Sequence, residues 1–245
     1  MKLICLNIWG GKVYKPFIDF VNDWKNKVDI LCLQEVFDGA EVDSSRIMHD
    51  AVLDIYTQLK VALPNYNSLF DECQDKEEGL AIFFRRDIQI KDFGETFVYR
   101  SKNAMINHDA RTMGRNMQYL EIVNRGEKYT IMNFHGLWNG QGKTDTPERT
   151  LQSENIKKFL DQISEPKILC GDFNLEPNTK SLAILELGMR NLVKEYNITS
   201  TRSSYYTKLI RFADYILVSP DIKVKEFRVL PDEVSDHLPL YLEFE

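Results

Sequence analysis

Cysteine is scarce in this chain of 245 residues, and none of its four cysteines stands in a CxxC pair. The sequence therefore offers no CxxC-type metal or redox motif. Three of the four, Cys5, Cys32 and Cys170, lie in apolar, strand-like runs. Buried free thiols in a reducing compartment explain this pattern most simply, so we expect a cytoplasmic protein.

Long apolar runs and an excess of positive charge are also absent. No stretch approaches the length of a transmembrane helix, and the opening Met1–Asn7 is too short and too soon interrupted for a signal peptide. The 31 Lys and Arg are outnumbered by 37 Asp and Glu, for a net charge of −6. This balance weakens the case for tight, sequence-independent binding of nucleic acid but leaves room for a local basic groove. We expect a monomer without stable membrane association.

The chain does have short apolar segments that alternate with helical patterns. Apolar residues recur at helical spacing over Tyr14–Trp24, between strand-like runs at Lys2–Leu6 and Asp29–Leu33. A strand, a helix and a strand in this order predict a parallel pair joined by a crossover. Further helices are predicted at Arg46–Leu59 and Thr150–Leu160. Further strands are predicted at Leu80–Phe84, Ile88–Val98, Met117–Val123, Lys128–Phe134, Lys167–Cys170, Ala213–Val218, Ile222–Val229 and Leu238–Phe244.

The order of these elements predicts the architecture. No Pro-rich or Ser-rich linker and no low-complexity tract divides the chain, so residues 1–245 are predicted to form one α/β domain. Strands that are apolar on both faces predict sheets stacked between helical layers. The acidic segment Asp71–Glu78 is expected to be mostly a solvated loop.

Several predicted strands end in a polar residue. Any one such residue alone is best explained as a solvated strand end, and Asp172 and Asn174, next to Gly171, also suit a plain turn. Six separate elements that each contribute a metal-ligand or acid–base side chain predict instead a site at the edge of an α/β sheet. The residues are Asn7, Glu35, His135, Asp172 with Asn174, Asp214, and Asp236 with His237.

The motifs around these residues resemble those of the endonuclease/exonuclease/phosphatase superfamily, a group of deoxyribonuclease I-like enzymes. The resemblance implies a four-layer α/β/β/α sandwich in which both sheets contribute side chains to one metal site. It spans nearly the whole chain and is specific for the superfamily, not for one of its members. The motifs, in order, are Leu6-Asn7, Leu33-Gln34-Glu35, Asn133-Phe134-His135, Gly171-Asp172-Phe173-Asn174, Ala213-Asp214-Tyr215 and Ser235-Asp236-His237.

The resemblance also implies a bound ion and its ligands. Cleavage of a phosphoester builds charge on oxygen atoms, which suits a hard divalent cation, here Mg²⁺ with Mn²⁺ as the alternative. By resemblance, Glu35 is the principal ligand, Asn7 lies nearby, and Asp236 is a further or water-mediated contact.

Catalytic roles follow from the same resemblance. His237, held by Asp214, is expected to lie across the scissile phosphate, where it either activates the attacking water or stabilises the developing charge. Asp172 is the other candidate for orienting or deprotonating the water. Asn174 is expected to donate a hydrogen bond to a phosphate oxygen.

Other residues bear on the branch and the substrate. His135 resembles the histidine of the deoxyribonuclease I, sphingomyelinase and 5′-tyrosyl phosphodiesterase branches, where abasic-site enzymes usually have Tyr. Glu78 is the candidate partner of that histidine. Met113-Gly114-Arg115-Asn116 resembles a basic turn of the 5′-tyrosyl phosphodiesterases, and Arg115 is a candidate contact for a substrate phosphate, with a solvated or ion-paired arginine as the alternative.

Two aromatic stretches, Trp138 and Tyr205-Tyr206, lie in loops near the ends of these motifs. They are candidates for stacking on a base or a lipid headgroup, with packing at the core or rim as the more ordinary role. Trp9 stands where nucleases of the superfamily often have Asp, and Leu6–Gly10 resembles the sphingomyelinase branch instead.

The function predicted from the sequence is a Mg²⁺-dependent phosphodiesterase that hydrolyses nucleic acid or a nucleotide-like diester by metal-assisted attack of water. One alternative is a phosphoesterase for lipid headgroups or for soluble phosphates such as inositol phosphates; the acidic pI counts against a membrane substrate. A catalytically silent binding module on the same scaffold is a further alternative, which the intact set of site residues disfavours.

Overall fold

The computed structural model describes residues 1–40, 50–75, 78–107 and 109–245. Within these ranges the strands form two sheets of six strands each. The first sheet, in spatial order, contains β11 (Val224–Val229), β12 (Leu240–Phe244), β1 (Lys2–Asn7), β2 (Ile30–Val36), β4 (Gly79–Arg85) and β3 (Tyr66–Glu72). The second contains β5 (Gln89–Tyr99), β6 (Arg115–Asn124), β7 (Glu127–His135), β8 (Lys167–Asp172), β10 (Asp214–Val218) and β9 (Arg190–Asn191).

Helices cover the outer face of each sheet. The buried side chains of α1 (Tyr14–Trp24) and α2 (Ile55–Ala62) pack with the outer face of the first sheet. Those of α3 (Pro147–Leu160), α4 (Lys180–Glu186) and α5 (Leu192–Glu195) pack on the second. The result is the predicted four-layer α/β/β/α sandwich of the deoxyribonuclease I type, with an apolar core between the sheets.

Both parallel pairs matter for the site. β1 and β2 are parallel with α1 as the crossover, as the strand–helix–strand pattern predicted. β7 and β8 form the matching parallel pair in the second sheet, in a register that sets His135 beside Asp172. Because parallel strands end at the same edge of a sheet, each pair brings its terminal side chains together.

The ends of β7 and β8 approach each other closely at two glycines. Gly171 has a φ of +151°, and a Cβ there would lie 1.8 Å from the carbonyl oxygen of Phe134. A Cβ on Gly136 would lie 2.1 Å from the carbonyl oxygen of Phe173. Only glycine fits between the two backbones at these positions.

Most predicted elements are confirmed to within a few residues, and two interpretations are correct only in part. The predicted helix Arg46–Leu59 begins later, at Ile55, and its first four positions, 46–49, lie outside the described residues. The acidic segment was expected to be mostly a solvated loop, but Asp71 and Glu72 end strand β3 instead. Asp71 is held there because its Oδ2 accepts a hydrogen bond of 2.8 Å from Gln118 of the second sheet.

Two further features bear on the expectations from composition. All four cysteines are buried, and none of them forms a disulfide bond. None of the described helices is long and apolar enough to cross a membrane.

Candidate active site

The polar strand ends meet at one edge of the sandwich. Asn7 ends β1, His135 ends β7 and Asp172 ends β8, while Asp214 begins β10 directly opposite Asp172 in the antiparallel register. Glu35 belongs to β2 at a bulge between Leu33 and Val36, and its φ of 56° lies in the left-handed region that side chains rarely adopt. Such strain is concentrated at functional positions, and here it re-aims one carboxylate toward the second sheet.

The carboxamide of Asn7 links side chains of the two sheets. It lies among the carboxylates of Glu35, Asp172 and Asp236, which we call the floor of the site. The Nδ2 of Asn7 donates to Oε1 of Glu35 at 2.9 Å and to Oδ2 of Asp172 at 3.2 Å. Asn7 itself is fully buried, and its Oδ1 accepts from the backbone N–H of Trp9. Its Nδ2 therefore holds the two carboxylates near each other, while its Oδ1 retains a second lone pair.

Two carboxylate oxygens of the site, one on Glu35 and one on Asp236, have no hydrogen-bond partner among the described residues. Burial raises the pKa of Glu35 well above its usual value, and the nearby charges of Glu78, Asp236 and Asp172 raise it further. Oε2 of Glu35 and Oδ1 of Asp236 are both buried and accept no hydrogen bond among the described residues. Buried carboxylate oxygens without a partner are costly unless a cation neutralises them.

This donor set fits a divalent cation. Hard ions such as Mg²⁺ take carboxylate and amide oxygens, which Glu35, Asp236 and Asn7 would offer. Two compact groups of acidic and histidine side chains adjoin it: one comprises Glu35, Glu78 and His135, the other Asp172, Asp214 and His237.

His237 is fixed by hydrogen bonds at both ring nitrogens. Nδ1 lies 2.6 Å from Oδ1 of Asp214, whose Oδ2 accepts from Thr201 Oγ1 at 2.7 Å. Nε2 is in hydrogen-bond contact with Nη1 of Arg202. Because a guanidinium only donates, Nε2 must accept, and the ring proton lies on Nδ1 toward Asp214.

Asp172 stands within reach of this histidine. Its Oδ2 is 3.5 Å from Nε2 of His237, and its Oδ1 accepts the backbone N–H of Asn174 at 2.8 Å. Burial alone would raise the pKa of Asp172, but the positive charge of His237 when its ring is protonated, and that of Arg202, hold it well below its usual range. Asp172 is therefore ionised at neutral pH.

His135 and its neighbours form the other side of the floor. Its Nδ1 lies 3.5 Å from Glu78 Oε1 and its Nε2 lies 3.7 Å from Glu35 Oε1. Burial lowers the pKa of His135, against the opposing charge of Glu78. The structure thus brings together the pair predicted from the resemblance.

Arg115 and Asn174 make contacts within the protein. Arg115 is 5% exposed and its Nη1 donates to Glu78 Oε1 at 2.9 Å, which is the ion-paired geometry of the two alternatives. Asn174 has a φ of 52°, and its Nδ2 donates to the carbonyl oxygen of Gly136 at 3.1 Å. The second amide hydrogen of Asn174 has no acceptor among the described side chains and backbone groups.

These residues line a cleft of about 400 Å³. Trp9, Trp138 and Tyr206 also line it, whereas Tyr205 is 46% exposed and does not. The volume is in the range of sites for small molecules and nucleotides.

Sequence reasoning missed Lys143 and Arg202. Both line the cleft, yet they lie in loops between the predicted elements, with no strand end or family motif to mark them. An arginine followed by Ser203, Ser204 and two tyrosines carries no local pattern that separates a buried arginine from an exposed one.

The four-layer fold and the acidic, histidine-bearing cleft define a hydrolase of phosphoester bonds. The model of the Endonuclease/Exonuclease/phosphatase family matches residues 4–237, and the chain belongs to that family. Its members are phosphoester-hydrolysing enzymes that typically depend on a divalent metal ion, and the acidic and histidine groups of this cleft can hold one.

Individual relatives differ in substrate. Nocturnin of Drosophila melanogaster is 26% identical over 159 residues, which are 62% of this chain but only 22% of that protein. A mannosyl-6-phosphatase of Bacteroides thetaiotaomicron aligns with a TM-score of 0.77 at 18% identity, over 100% of this chain and 99% of that one. TDP2 of D. rerio, solved with a single-strand DNA product, aligns with a TM-score of 0.73 at 16% identity, over 100% and 98%. At these identities the solved structures show a shared fold but do not identify the substrate of this protein. The substrate has to be inferred from the residues of the cleft.

Proposed function

We propose that this protein is a Mg²⁺-dependent phosphodiesterase that hydrolyses nucleic-acid or nucleotide-like diesters by attack of water. The observation that carries the proposal is that two unpartnered carboxylate oxygens, on Glu35 and Asp236, lie at the same cleft as a set of aromatic rings. The floor suits a metal-bound phosphate, and Trp9, Trp138 and Tyr206 offer flat surfaces to a base. Mn²⁺ is the alternative ion, because it accepts the same oxygen ligands.

In this proposal Glu35 is the principal metal ligand, with Asp236 and Asn7 as further contacts. The ion, when bound, would neutralise charge on the phosphoryl oxygens. Asn7 has a second effect, since its two hydrogen bonds keep Glu35 and Asp172 at a set separation.

Asp172 and His237 are proposed to handle the attacking water. Oδ2 of Asp172 and Nε2 of His237 are 3.5 Å apart, so one water can contact both once Arg202 releases its hydrogen bond to Nε2. As the water oxygen bonds to phosphorus, its proton passes to one of these two acceptors and the bond to the leaving oxygen breaks. Asp214 keeps the imidazole oriented and stabilises it once it is protonated.

The remaining site residues are proposed to bind and to position. Asn174 can donate its second amide hydrogen to a phosphoryl oxygen, which a carboxylate at that position would repel. Glu78 and Arg115 hold His135 in place beside Glu35. Arg115 reaches a substrate phosphate only if its ion pair with Glu78 opens.

We also propose that residues 1–245 act as one domain and as a monomer. Both sheets contribute to one cleft, which supports a single unit. Four buried cysteines, none of them in a disulfide, support a cytoplasmic setting.

A panel of substrates tests the proposal. The purified protein is assayed with Mg²⁺, Mn²⁺ or EDTA on single- and double-stranded DNA, RNA, a nitrophenyl nucleotide diester, inositol phosphates and sphingomyelin vesicles. We expect cleavage of the nucleotide diesters, loss in EDTA, and loss in Asp172→Asn and His237→Ala. Cleavage of sphingomyelin or inositol phosphates but of no nucleotide diester would show that the alternative substrate class is right. Equal activity in the wild type and both variants would remove the catalytic roles.

A further inference from the structure

Acidic and basic side chains line opposite parts of the cleft. Its floor carries the carboxylates described above, whereas cations are gathered on the wall formed by two loops, residues 136–146 and 200–213, and on the adjoining turn at Arg111. The cations that line the cleft on this side are Arg111, Lys143, Arg202 and Lys208.

Lys143 is an unusual member of this wall because it is buried without an anion. Only 3% of the residue is exposed, and its Nζ donates to the carbonyl oxygen of Phe212 at 2.8 Å. No carboxylate lies within 4.0 Å of Nζ in the part of the chain that the structure describes. A buried ammonium group is costly unless an anion or several acceptors compensate it. Lys143 lies in the cleft wall, so an anionic group of a bound ligand can compensate its charge.

Arg202 also has a hydrogen-bond donor from which no group among the described residues accepts. Its Nη1 donates to Oδ2 of Asp236 at 2.8 Å and contacts His237, but its Nε is buried and has no partner among the described residues. The guanidinium carbon lies 4.3 Å from the centre of the Tyr206 ring, and Lys143 Nζ lies 5.0 Å from the same centre. The ring of Tyr206 thus lies beside two cations, Arg202 and Lys143, and each of them has an N–H group that is free to donate to a ligand.

The mouth of the cleft continues the pattern. Lys208 Nζ lies 5.3 Å from the centre of the Trp138 ring, so the two loops meet across a cation and an indole. A ligand that enters here passes an aromatic surface before it reaches Lys143 and Arg202.

We propose that Lys143, with Arg202 and Tyr206, forms a second anion subsite beside the scissile phosphate, and that the preferred substrates are nucleotides that carry a second phosphate group. This inference rests on the proposed function and names the substrate class within it. In this view Lys143 binds the non-reacting phosphate, and Trp138 and Lys208 flank the nucleoside.

Binding measurements test the subsite without relying on turnover. Calorimetric titrations with Mg²⁺ compare thymidine 3′,5′-bisphosphate with thymidine 5′-monophosphate, and ADP with AMP, with chromatography to confirm that each ligand stays intact. We expect the wild type to bind the doubly phosphorylated ligand of at least one pair about tenfold more tightly, which corresponds to about 1.4 kcal/mol.

Variants at Lys143 and a matched lysine separate this role from general stability. Lys143→Met and Lys143→Gln should reduce the preference to less than about twofold, because the second phosphate loses its charged donor. Lys167 is a suitable control, since it too caps backbone carbonyls, those of Leu160 and Ile163, but lies at the start of β8, away from the cleft. Lys167→Met should keep the preference, and thermal melting establishes that each variant is folded.

Two results would overturn the subsite: no preference in either ligand pair for the wild type, or an unchanged preference in the folded Lys143 variants. Failure of the proposed function looks different. In that case the wild type shows no metal-dependent hydrolysis of nucleotide diesters, whatever its preference between one and two phosphates.

Discussion

Glu35→Gln is the sharpest test of the metal centre, because it should change stability in opposite directions with and without the ion. The side chain is 16% exposed, one of its oxygens has no partner among the described residues, and three carboxylates raise its pKa. In EDTA this charge opposes folding. With a bound cation the same charge becomes a ligand.

The magnitudes follow from these contacts. Removing a buried, unsatisfied charge should stabilise the metal-free protein by about 1 to 3 kcal/mol. For a chain of this length, about 2 to 4 °C of melting temperature corresponds to each kcal/mol, so the metal-free variant should melt about 2 to 12 °C higher. A metal at 100 times its Kd stabilises the wild type by about 2.7 kcal/mol, or about 5 to 11 °C.

Thermal melting in EDTA and in a Mg²⁺ series measures both effects. We expect Glu35→Gln to melt higher than the wild type in EDTA and to lose most of the Mg²⁺-dependent rise. Glu154→Gln, on the exposed face of α3, is the surface control and should change neither value. A variant that is less stable in EDTA yet keeps the full response to Mg²⁺ would refute both the repulsion and the ligand role.

Three further predictions concern the water-handling residue, a structural arginine and the anion subsite. Asp172→Asn should lower kcat by about 10² to 10⁴ in a nucleotide diester assay, the range for a positioned acid–base group, at a temperature where thermal melting shows that the variant is folded; a loss of less than tenfold would argue against the role. Arg149→Met should lower the free energy of unfolding by about 2 to 4 kcal/mol in urea titrations, because hydrogen bonds from a charged donor are lost inside the protein; the fully buried guanidinium donates to the carbonyls of Leu137, Thr144 and Gly142. Binding of a bisphosphate should weaken as the pH rises from 7 to 9, because burial and then the charge of Arg202 lower the pKa of Lys143 to about 8, so that the free protein loses this cation above that value. The opposing charges near Lys143 are those of Asp172, Asp214 and Asp236. A flat profile for the wild type, or the same slope in Lys143→Met, would contradict this assignment.

Much of the site could be predicted from the sequence because its residues occupy strand ends. A strand that stops at Asn7 or His135 is a local pattern, and parallel pairing then brings such ends to one edge. The order of the family motifs independently predicted that these residues share one site. Glu78 was found in this way, although it lies 37 residues from its ion-pair partner Arg115.

Some elements were decided by contacts with distant parts of the chain. Strand β3 has no apolar alternation that marks it, and its polar residue Asp71 is fixed by Gln118 from the other sheet. The helix at Ile55–Ala62 buries Ile55, Tyr56 and Leu59 against the first sheet; their spacing predicts a helix, but not that it begins only at Ile55.

The sequence by itself determined the family, the fold and the set of carboxylates and histidines at the strand ends. Only the tertiary structure decided what faces them. Lys143 and Arg202 come from loops that are 59 residues apart in the numbering, and their partners are backbone carbonyls, carboxylates and one tyrosine ring. A cation in a loop is ordinarily solvated. Burial without a matching anion, which gives Lys143 its significance, exists only once the two loops have met.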